Sequence, residues 1–478
     1  MTRVEGVAAP AQPEISAATW RLAWVIAFGA FAGGLDTSLI NIALNTIQNE
    51  FHADLDLAQW ISSAYLLALA VSLPVCAWLG RRVGVGRLWL GALAAFTVVS
   101  GLCALAPNME VLIGLRVLQG LTAGLLIPAG QTILGQAVGP GRLGRVMARL
   151  GIAVVLAPAL GPVLGGLLLN VLDWRWLFLI NVPIGVVALL AGMRWIPHEK
   201  GVSTSSLDWI GFGYIGLGLP LVVYGLTNWG SLGSPEAGPV LLPLGLGVLG
   251  LVAFVWHAIR REHPLLDVSL YRNAGYSAAS VAFVFNGALT FGCALLFPLY
   301  FQLLHGNDVV STGLQMLALG AGTGLMLPLS GRLTDRYGGG PISVLGTACT
   351  VVATTAFAVV GLDHSPIVVQ IMLFLLGMGT GMASTPLMIS AFTTVPRDRL
   401  PDATAQINIL ARIGGALGAA LYAVVLARAL PGGTQHAFQV AFTWQVGTAV
   451  AALASTVVLW LALSRARKGG QLPAAPHH

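Results

Sequence analysis

The chain has 478 residues, of which 9% are charged and 56% are hydrophobic, and its mean hydropathy is +0.83. A soluble domain carries roughly 25% charged residues, so this sequence lacks the polar surface of a water-soluble protein, and lipid must cover most of it. The net charge is +6, but the basic residues form no cluster with aromatic residues, which argues against a nucleic-acid partner.

Fourteen apolar runs follow one another along the chain, and each is long enough to cross about 30 Å of hydrocarbon as a helix. Long runs without alternation exclude a membrane β-barrel, so the predicted fold is all-α and integral to the membrane. The runs predict spans at 20–45, 57–79, 88–106, 110–137, 143–170, 176–195, 208–228, 239–259, 275–304, 311–331, 341–361, 366–391, 402–427 and 438–463.

Lysine and arginine fall almost entirely in alternate connecting segments. One set of segments holds residues such as Arg81, Arg142 and Arg260, whereas the opposite set holds only Arg175 and Arg428. Cytoplasmic loops of membrane proteins are enriched in basic residues. The asymmetry therefore predicts a multi-pass protein of the plasma (cytoplasmic) membrane with both termini in the cytoplasm.

A turn motif occurs twice, as W-L-G-R-R-V-G-V-G-R at 78–87 and as R-L-T-D-R-Y-G-G-G at 332–340. The copies follow the second and the tenth predicted spans, which indicates a duplicated six-helix unit with two extra helices between the halves. The predicted organisation is a cytoplasmic N-terminus at 1–19, an N-terminal bundle at 20–195, two inserted helices at 208–259, a C-terminal bundle at 275–463 and a cytoplasmic tail at 464–478.

One carboxylate, Asp36, lies well inside a span, where an ionised group is costly unless it is paired or hydrated. It lies roughly 13 Å from the outer end of the first span, and Arg116 lies roughly 9 Å from the outer end of the fourth, at a rise of about 1.5 Å per residue. Two charges at one depth can hold each other ionised, so their separation would change when Asp36 binds a proton. A static ion pair that fixes helix packing is the alternative.

The fifth span contains G-I-A-V-V-L-A-P-A-L-G-P-V-L-G-G at 151–166. Small residues allow close helix packing and prolines bend helices, so this helix is a candidate gate between the halves, with plain packing as the alternative. The gate residues are Gly151, Pro158, Gly161, Pro162, Gly165 and Gly166.

A second embedded cation, Arg412, lies about ten residues into the thirteenth span. Contact with substrate and a packing role are equally compatible with its position. The candidate substrate-cavity residues are Asn41, Asn286, Tyr300, Gln302 and Arg412.

Five segments resemble motifs of one family, the fourteen-helix drug:proton antiporters of the major facilitator superfamily. Besides 151–166, they are L-D-T-S-L-I-N-I-A-L (35–44), Q-W-I-S-S-A-Y-L-L-A-L-A (59–70), R-V-L-Q-G-L-T-A-G (116–124) and D-W-R-W-L-F-L-I-N-V-P-I-G (173–185). The resemblance implies two six-helix bundles plus two inserted helices, and alternating access driven by the proton gradient without a cofactor. It also implies a monomer that is not an enzyme and that exports hydrophobic or cationic drugs or toxic metabolites.

The resemblance implies that Asp36 is a proton or cation site and that Arg116 is its electrostatic partner. It makes the two turn motifs a cytoplasmic latch, with Asp335 acting beside Arg332 and Arg336. The first copy departs from the family pattern, because Arg81 stands where an acidic residue is usual and Ala77 where glycine is usual, so we expect that latch to be weak or paired differently. The latch residues are Arg81, Arg82, Gly84, Arg87, Gly331, Arg332, Asp335 and Arg336.

Two other function classes were weighed against export. A metabolite importer or facilitator of the same fold stays open as an alternative. A membrane enzyme finds no support, because the sequence has no zinc-protease, phosphate-loop or nucleophile-elbow motif.

Overall fold

The computed structural model describes residues 15–138, 140–201, 206–232, 238–359 and 365–468. Within these residues the chain is helical and contains no strand, which confirms the all-α prediction. The helices are α1 (Ala17–Phe51), α2 (Leu55–Val83), α3 (Val85–Ala104), α4 (Met109–Ala137), α5 (Pro140–Val171), α6 (Trp176–Leu179), α7 (Asn181–Trp195), α8 (Trp209–Leu232), α9 (Gly238–Arg260), α10 (Ala274–Leu299), α11 (Val309–Tyr337), α12 (Gly339–Val359), α13 (Pro366–Thr393), α14 (Leu400–Ala429) and α15 (Thr434–Lys468).

Thirteen helical segments of the described chain are long and apolar enough to cross a membrane, with α6 and α7 together forming one of them. Helix α5, with 32 residues, is the remaining long helix, so each predicted span corresponds to a helix. Several helices run past their apolar cores into polar sequence. At the start of α1, for example, Ser16 Oγ accepts a hydrogen bond from the backbone N of Thr19 at 3.2 Å, which is a regular N-cap. Because the helices extend beyond the apolar runs, charged residues that were expected in loops lie on ordered helix ends.

The long helices pack as two sets, α1–α7 and α10–α15. Glycine allows close approach inside each set. A Cβ on Gly120 of α4 would lie 2.3 Å from the carbonyl oxygen of Tyr65 on α2, and a Cβ on Gly414 of α14 would lie 2.0 Å from that of Val284 on α10. Backbone thus packs on backbone, and the positions of side chains on these helices are tightly constrained.

The two inserted helices, α8 and α9, form a hairpin that packs on both halves. Helix α8 contacts α2 and α14, and Val222 and Leu226 of α8 form a buried cluster with Ala420 of α14. Within the hairpin, the Nε2 of His257 on α9 lies 2.9 Å from an oxygen of the buried Asp208, which directly precedes α8. The hairpin is therefore attached along the seam between the halves.

The halves meet through α5 and α11, α2 and α14, and α4 and α14. We call the end of the bundle that carries Arg81, Arg145 and Asp335 the basic end. Nearby, the hydroxyls of Thr132 and Thr404 are 2.7 Å apart. Hydrogen bonds and ion pairs between α4 or α5 and the other half, and between α2 and α14, lie on this side of the bundle.

Candidate functional site

Asp36 and Arg116 form a buried ion pair between α1 and α4. The Nη1 of Arg116 donates to Oδ2 of Asp36 at 2.6 Å, and the two side chains are 1% and 0% exposed. The matching depths in the sequence predicted this contact, and the structure brings the two residues together. The functional roles that the sequence analysis gave them stay predictions.

Two amides complete the contacts of the carboxylate. Nε2 of Gln119 donates to Oδ1 of Asp36 at 3.0 Å, and Nδ2 of Asn181 on α7 donates to the same oxygen at 2.8 Å. Both amides also donate to the hydroxyl of Ser100 on α3, at 2.6 Å and 3.3 Å. Three donors thus surround one buried carboxylate, which offsets the cost of holding a charge away from water.

The sequence analysis missed Gln119 and Asn181, although each had a signal. Gln119 follows Arg116 by three residues, which places both on one face of a helix. Asn181 is the polar residue in the run L-F-L-I-N-V-P-I-G. Both lie in segments that resemble family motifs. A search of these apolar segments for polar residues that need a buried hydrogen-bond partner would have found them.

Arg116 is held by contacts that do not involve Asp36. Its Nε donates to the carbonyl oxygen of Ile61 at 3.1 Å, and its guanidinium carbon lies 4.1 Å from the ring centre of Tyr65. Both residues belong to α2, so α2 and α4 fix the guanidinium. The carboxylate belongs to α1, and movement of α1 relative to α4 would lengthen the ion pair.

Small residues bring α5 against α1 beside this pair. A Cβ on Gly161 would lie 2.1 Å from Oγ of Ser38, two residues after Asp36, and a Cβ on Gly151 would lie 3.0 Å from the side chain of Leu327 on α11. Helix α5 therefore contacts α1 of its own half and α11 of the other half through two of the predicted glycines.

In the described part of the chain, the other four predicted gate residues are not seen to make such close contacts. Gly165 is buried, whereas Gly166 is half-buried and a Cβ there would meet no atom within 4 Å, so its role in the gate stays a prediction. Gly166 lies on another face of α5, which the run of sequence letters could not reveal. The side chains of Pro158 and Pro162 lie outside the described residues.

Two ion pairs join the halves at the basic end. Arg81 of α2 pairs with Asp402 of α14. Asp335 of α11 accepts from Nε of Arg145 on α5 at 2.9 Å and from the backbone N of Gly144 at 2.7 Å. The sequence named neither Arg145 nor Asp402 as a partner, because each lies at the start of a predicted span, where a charged residue needs no partner inside the protein.

The two pairs are related by the internal repeat but have opposite polarity. Arg81 and Asp335 hold equivalent places in the two turn motifs, and each reaches a helix of the other half. The departure at Arg81 thus comes with a different pairing, as one of the two expectations for this position states. A matching pair of glycines lies beside the second ion pair, where a Cβ on Gly331 would lie 2.5 Å from the carbonyl oxygen of Gly144.

The remaining latch residues shape the turns or lie around them. Gly84 has a φ of +92° and Gly338 a φ of +86°, a backbone region that favours glycine. A Cβ on Gly84 would also lie 2.1 Å from the carbonyl oxygen of Glu199. The other basic members are placed as follows: Arg82 lies 5.5 Å from the ring of Trp78, Arg336 lies 5.2 Å from that of Tyr337, and Arg87 and Arg332 are exposed.

The predicted substrate-cavity residues that the structure describes differ in their exposure. Tyr300 is a correction, because it is 0% exposed in an aromatic cluster with Phe438 and Phe442 and offers no surface to a ligand. Gln302 is exposed just after α10, and Asn286 is half-buried in α10. The remaining two are Asn41, whose side chain lies outside the described residues, and Arg412, which is half-buried in the middle of α14.

Comparison with known proteins agrees with this architecture. Residues 26–419 match the family profile described as Major Facilitator Superfamily. The chain is 33% identical over 410 residues to the "Multidrug resistance protein B homolog" of Mycobacterium tuberculosis, which covers 85% of this chain and 76% of that protein. It is 27% identical over 396 residues to the lincomycin resistance protein LmrB of Listeria monocytogenes, covering 83% and 84%.

A solved structure shows the same fold. The structure of the proton:xylose symporter XylE aligns with a TM-score of 0.65 at 14% identity, covering 93% of this chain and 95% of that one. At this identity the alignment bears on the fold alone, while the profile spans most of the chain. The chain therefore belongs to the major facilitator superfamily.

Proposed function

We propose that this transporter exports apolar small molecules in exchange for protons, and that Asp36 is the group that carries the proton. The observation that supports this most strongly is the position of Asp36, a carboxylate that is 0% exposed inside a helix long and apolar enough to cross a membrane. An intramembrane carboxylate marks a proton or ion pathway by default. Multidrug-resistance relatives make drug-like compounds the first class to test.

Protonation of Asp36 requires that its donors withdraw. Three donors hold the ionised carboxylate, and Arg116 is anchored independently on α2, so α1 must move to release it. The Oδ1 of Asn181 is buried and has no hydrogen-bond partner among the described residues. Once Asp36 is protonated, this oxygen is the acceptor that its new O–H can reach if the amide turns over.

Helix α5 connects this step to the movement of the halves. It contacts Leu327 of the other half through Gly151, and it contacts Ser38 beside Asp36 through Gly161. When the halves rock, α5 transmits the displacement to α1 and changes the distance between Asp36 and Arg116. Proton binding and alternating access are coupled in this way.

The proposal assigns the basic end to the cytoplasm, following the excess of lysine and arginine on that side. The pairs Arg81–Asp402 and Asp335–Arg145 then close the cytoplasmic side. Both pairs must break before a substrate can enter from the cytoplasm. They act as the latch, with the partners that the structure gives them.

One proton suffices energetically for useful export. Entry of one charge down about 100 mV is worth about 2.3 kcal/mol, and one pH unit adds about 1.4 kcal/mol. Because about 1.4 kcal/mol corresponds to a tenfold ratio, the sum supports a gradient of several hundredfold for a neutral substrate. A single titratable carboxylate is therefore adequate.

The test is transport by purified protein in lipid vesicles with an imposed pH gradient and a panel of cationic, neutral and anionic aromatic compounds. We expect the wild type to accumulate at least one class against its gradient, and Asp36→Asn to lose this accumulation while still exchanging substrate down its gradient. Asp54→Asn is the matched control, since Asp54 is exposed and its side chain makes no capping hydrogen bond. Gradient-driven accumulation at the wild-type rate in Asp36→Asn would refute the proposal.

A further inference from the structure

Arg412 extends a line of polar residues by which α14 faces the N-terminal half. Thr404 contacts Thr132 of α4 at 2.7 Å, and one turn later Asn408 donates to Gln131 of α4 at 2.7 Å. Residues four apart lie on the same face of a helix. Arg412, four residues after Asn408, therefore also faces the N-terminal half.

The halves diverge along this line. Thr404 is 1% exposed, whereas Asn408 and Arg412 are both partly exposed. Across the seam, Tyr65 of α2 lies within electrostatic range of Arg412. The guanidinium thus lies one helical turn beyond Asn408, which makes the last of these hydrogen bonds between α14 and α4, and it is partly exposed there.

Among the side chains that the structure describes, none is an acceptor that offsets the charge of Arg412. Among the described residues it has no hydrogen bond or ion pair, and its nearest aromatic contact is Phe291, whose ring centre lies 5.9 Å from the guanidinium carbon. The other embedded arginine, Arg116, is paired with Asp36. A lone guanidinium at mid-membrane depth is costly, and this cost falls when an anionic group binds to it.

The same region offers no carboxylate to a cationic compound. Both oxygens of Asp36 are occupied, by Arg116 on one side and by Gln119 and Asn181 on the other. Asp335 and Asp402 lie in ion pairs at the basic end, whereas Glu50 and Glu110 lie at the ends of α1 and α4 on the opposite side. A cationic substrate therefore has no free carboxylate to pair with among the described residues near Arg412, whereas an anionic substrate has Arg412 itself.

We propose that Arg412 binds an anionic group on the substrate, so that the transported class includes aromatic organic acids. The guanidinium donates two parallel hydrogen bonds to a carboxylate or sulfonate. Phe291, which is 40% exposed, supplies an aromatic surface for an attached ring. This inference rests on the proposed export function and names its substrate class.

An anionic substrate changes the response to membrane potential. Export of one negative charge together with entry of one proton moves two positive charges inward, whereas exchange of a monovalent cation for one proton moves none. Each charge that crosses about 100 mV corresponds to a factor of about 45 in the attainable gradient. Transport of the acid is therefore expected to respond steeply to an imposed potential at constant pH gradient.

The test compares three probes that share one ring: naphthalenesulfonate, neutral naphthalenemethanol and naphthylmethyl-trimethylammonium. Equilibrium dialysis of the purified full-length protein measures their affinities. A charge-assisted hydrogen bond at a partly exposed site is worth about a tenfold change in affinity. We expect the sulfonate to bind about tenfold tighter than the ammonium compound, Arg412→Gln to remove this preference, and Arg412→Lys to keep part of it.

The matched control is Arg428→Gln, which makes the same change on an exposed residue near the far end of α14 and should leave all three affinities unchanged. If Arg412→Gln does not purify as a folded protein, modification of the wild type by phenylglyoxal replaces it, and naphthalenesulfonate should slow modification of Arg412. Unchanged sulfonate binding in Arg412→Gln, absence of this protection, or tighter binding of the ammonium compound overturns the inference.

The outcomes separate the two proposals. If the ammonium or neutral probe is accumulated in an Asp36-dependent way while the sulfonate is neither bound nor transported, the export function stands and the anion site falls. If the sulfonate binds at Arg412 but no compound is driven by a proton gradient, the anion site stands and the antiport function falls.

Discussion

The ion pair between Arg81 and Asp402 gives the sharpest test of the latch, because its polarity can be reversed. In Arg81→Asp two carboxylates face each other across the seam, and in Asp402→Arg two guanidinium groups do. The double variant Arg81→Asp with Asp402→Arg restores an attractive pair in the opposite direction. Arg81→Asp also removes the donor to the carbonyl oxygen of Leu265, and Asp402→Arg removes the acceptor for the backbone N of Asp267. The double variant compared with the two single variants separates the interaction within the pair from these individual losses.

The size of the expected shift follows from the burial of the Arg81–Asp402 pair. The side chains are 22% and 4% exposed, and Asp402 also accepts from the backbone N of Asp267 at 3.1 Å. Loss of a charge-assisted hydrogen bond costs about 2 kcal/mol, and repulsion between like charges adds about 1 kcal/mol at an intermediate dielectric. Each single variant should therefore shift the open-to-closed equilibrium of the basic end about 100-fold, and the double variant should recover most of that shift.

Thiol labelling between the halves measures the open-to-closed equilibrium of the basic end. Thr404 is 1% exposed and faces Thr132 of the other half, so Thr404→Cys, in a protein whose four native cysteines are replaced, reports opening through its rate of reaction with a maleimide. Each single variant should label far faster than the parent, and the double variant close to the parental rate. Equal rates in all four proteins, or a double variant as fast as the sum of the singles, would refute the latch.

Three further predictions concern single positions. Gly161→Val should abolish transport and preserve insertion, since its side chain would collide with Ser38 and separate α5 from α1; wild-type transport rates in vesicles would contradict the close contact. Tyr300→Ala should lower stability by about 3–5 kcal/mol, as expected for an emptied aromatic core, with unchanged relative affinities for different substrates in a thermal-unfolding and binding comparison. Gln119→Leu should reduce proton-driven accumulation about tenfold, because Asp36 loses one donor; an unaltered rate would show that the amide is dispensable.

The spans and their order could be predicted from the sequence, because hydrocarbon thickness sets a minimum apolar length and basic residues mark one side of the membrane. The contact between Asp36 and Arg116 could also be predicted, since a rise of about 1.5 Å per residue converts chain position into depth. Both inferences need no knowledge of which helix faces which.

The sequence did not determine which side of each helix faces lipid and which side faces the protein core. Lipid-facing and core-facing sides of these helices are equally apolar, so no periodicity shows that Tyr300 points into a core or that Gly166 points away from its neighbours. The partners Arg145 and Asp402 were missed for a related reason. Both lie at the first residues of predicted spans, and their partners are 190 and 321 residues away in the chain, so no local pattern shows which helices bring them together.

The claim on which the account depends is that Asp36 carries protons during transport. The most direct measurement uses a pH-sensitive dye inside vesicles while a gradient of the fastest-transported panel compound is imposed without an initial pH gradient. Substrate movement through the wild type should drive protons in the opposite direction, and Asp36→Asn should move substrate without moving protons. Proton movement at the wild-type rate in Asp36→Asn, or none in the wild type during substrate transport, would contradict the account.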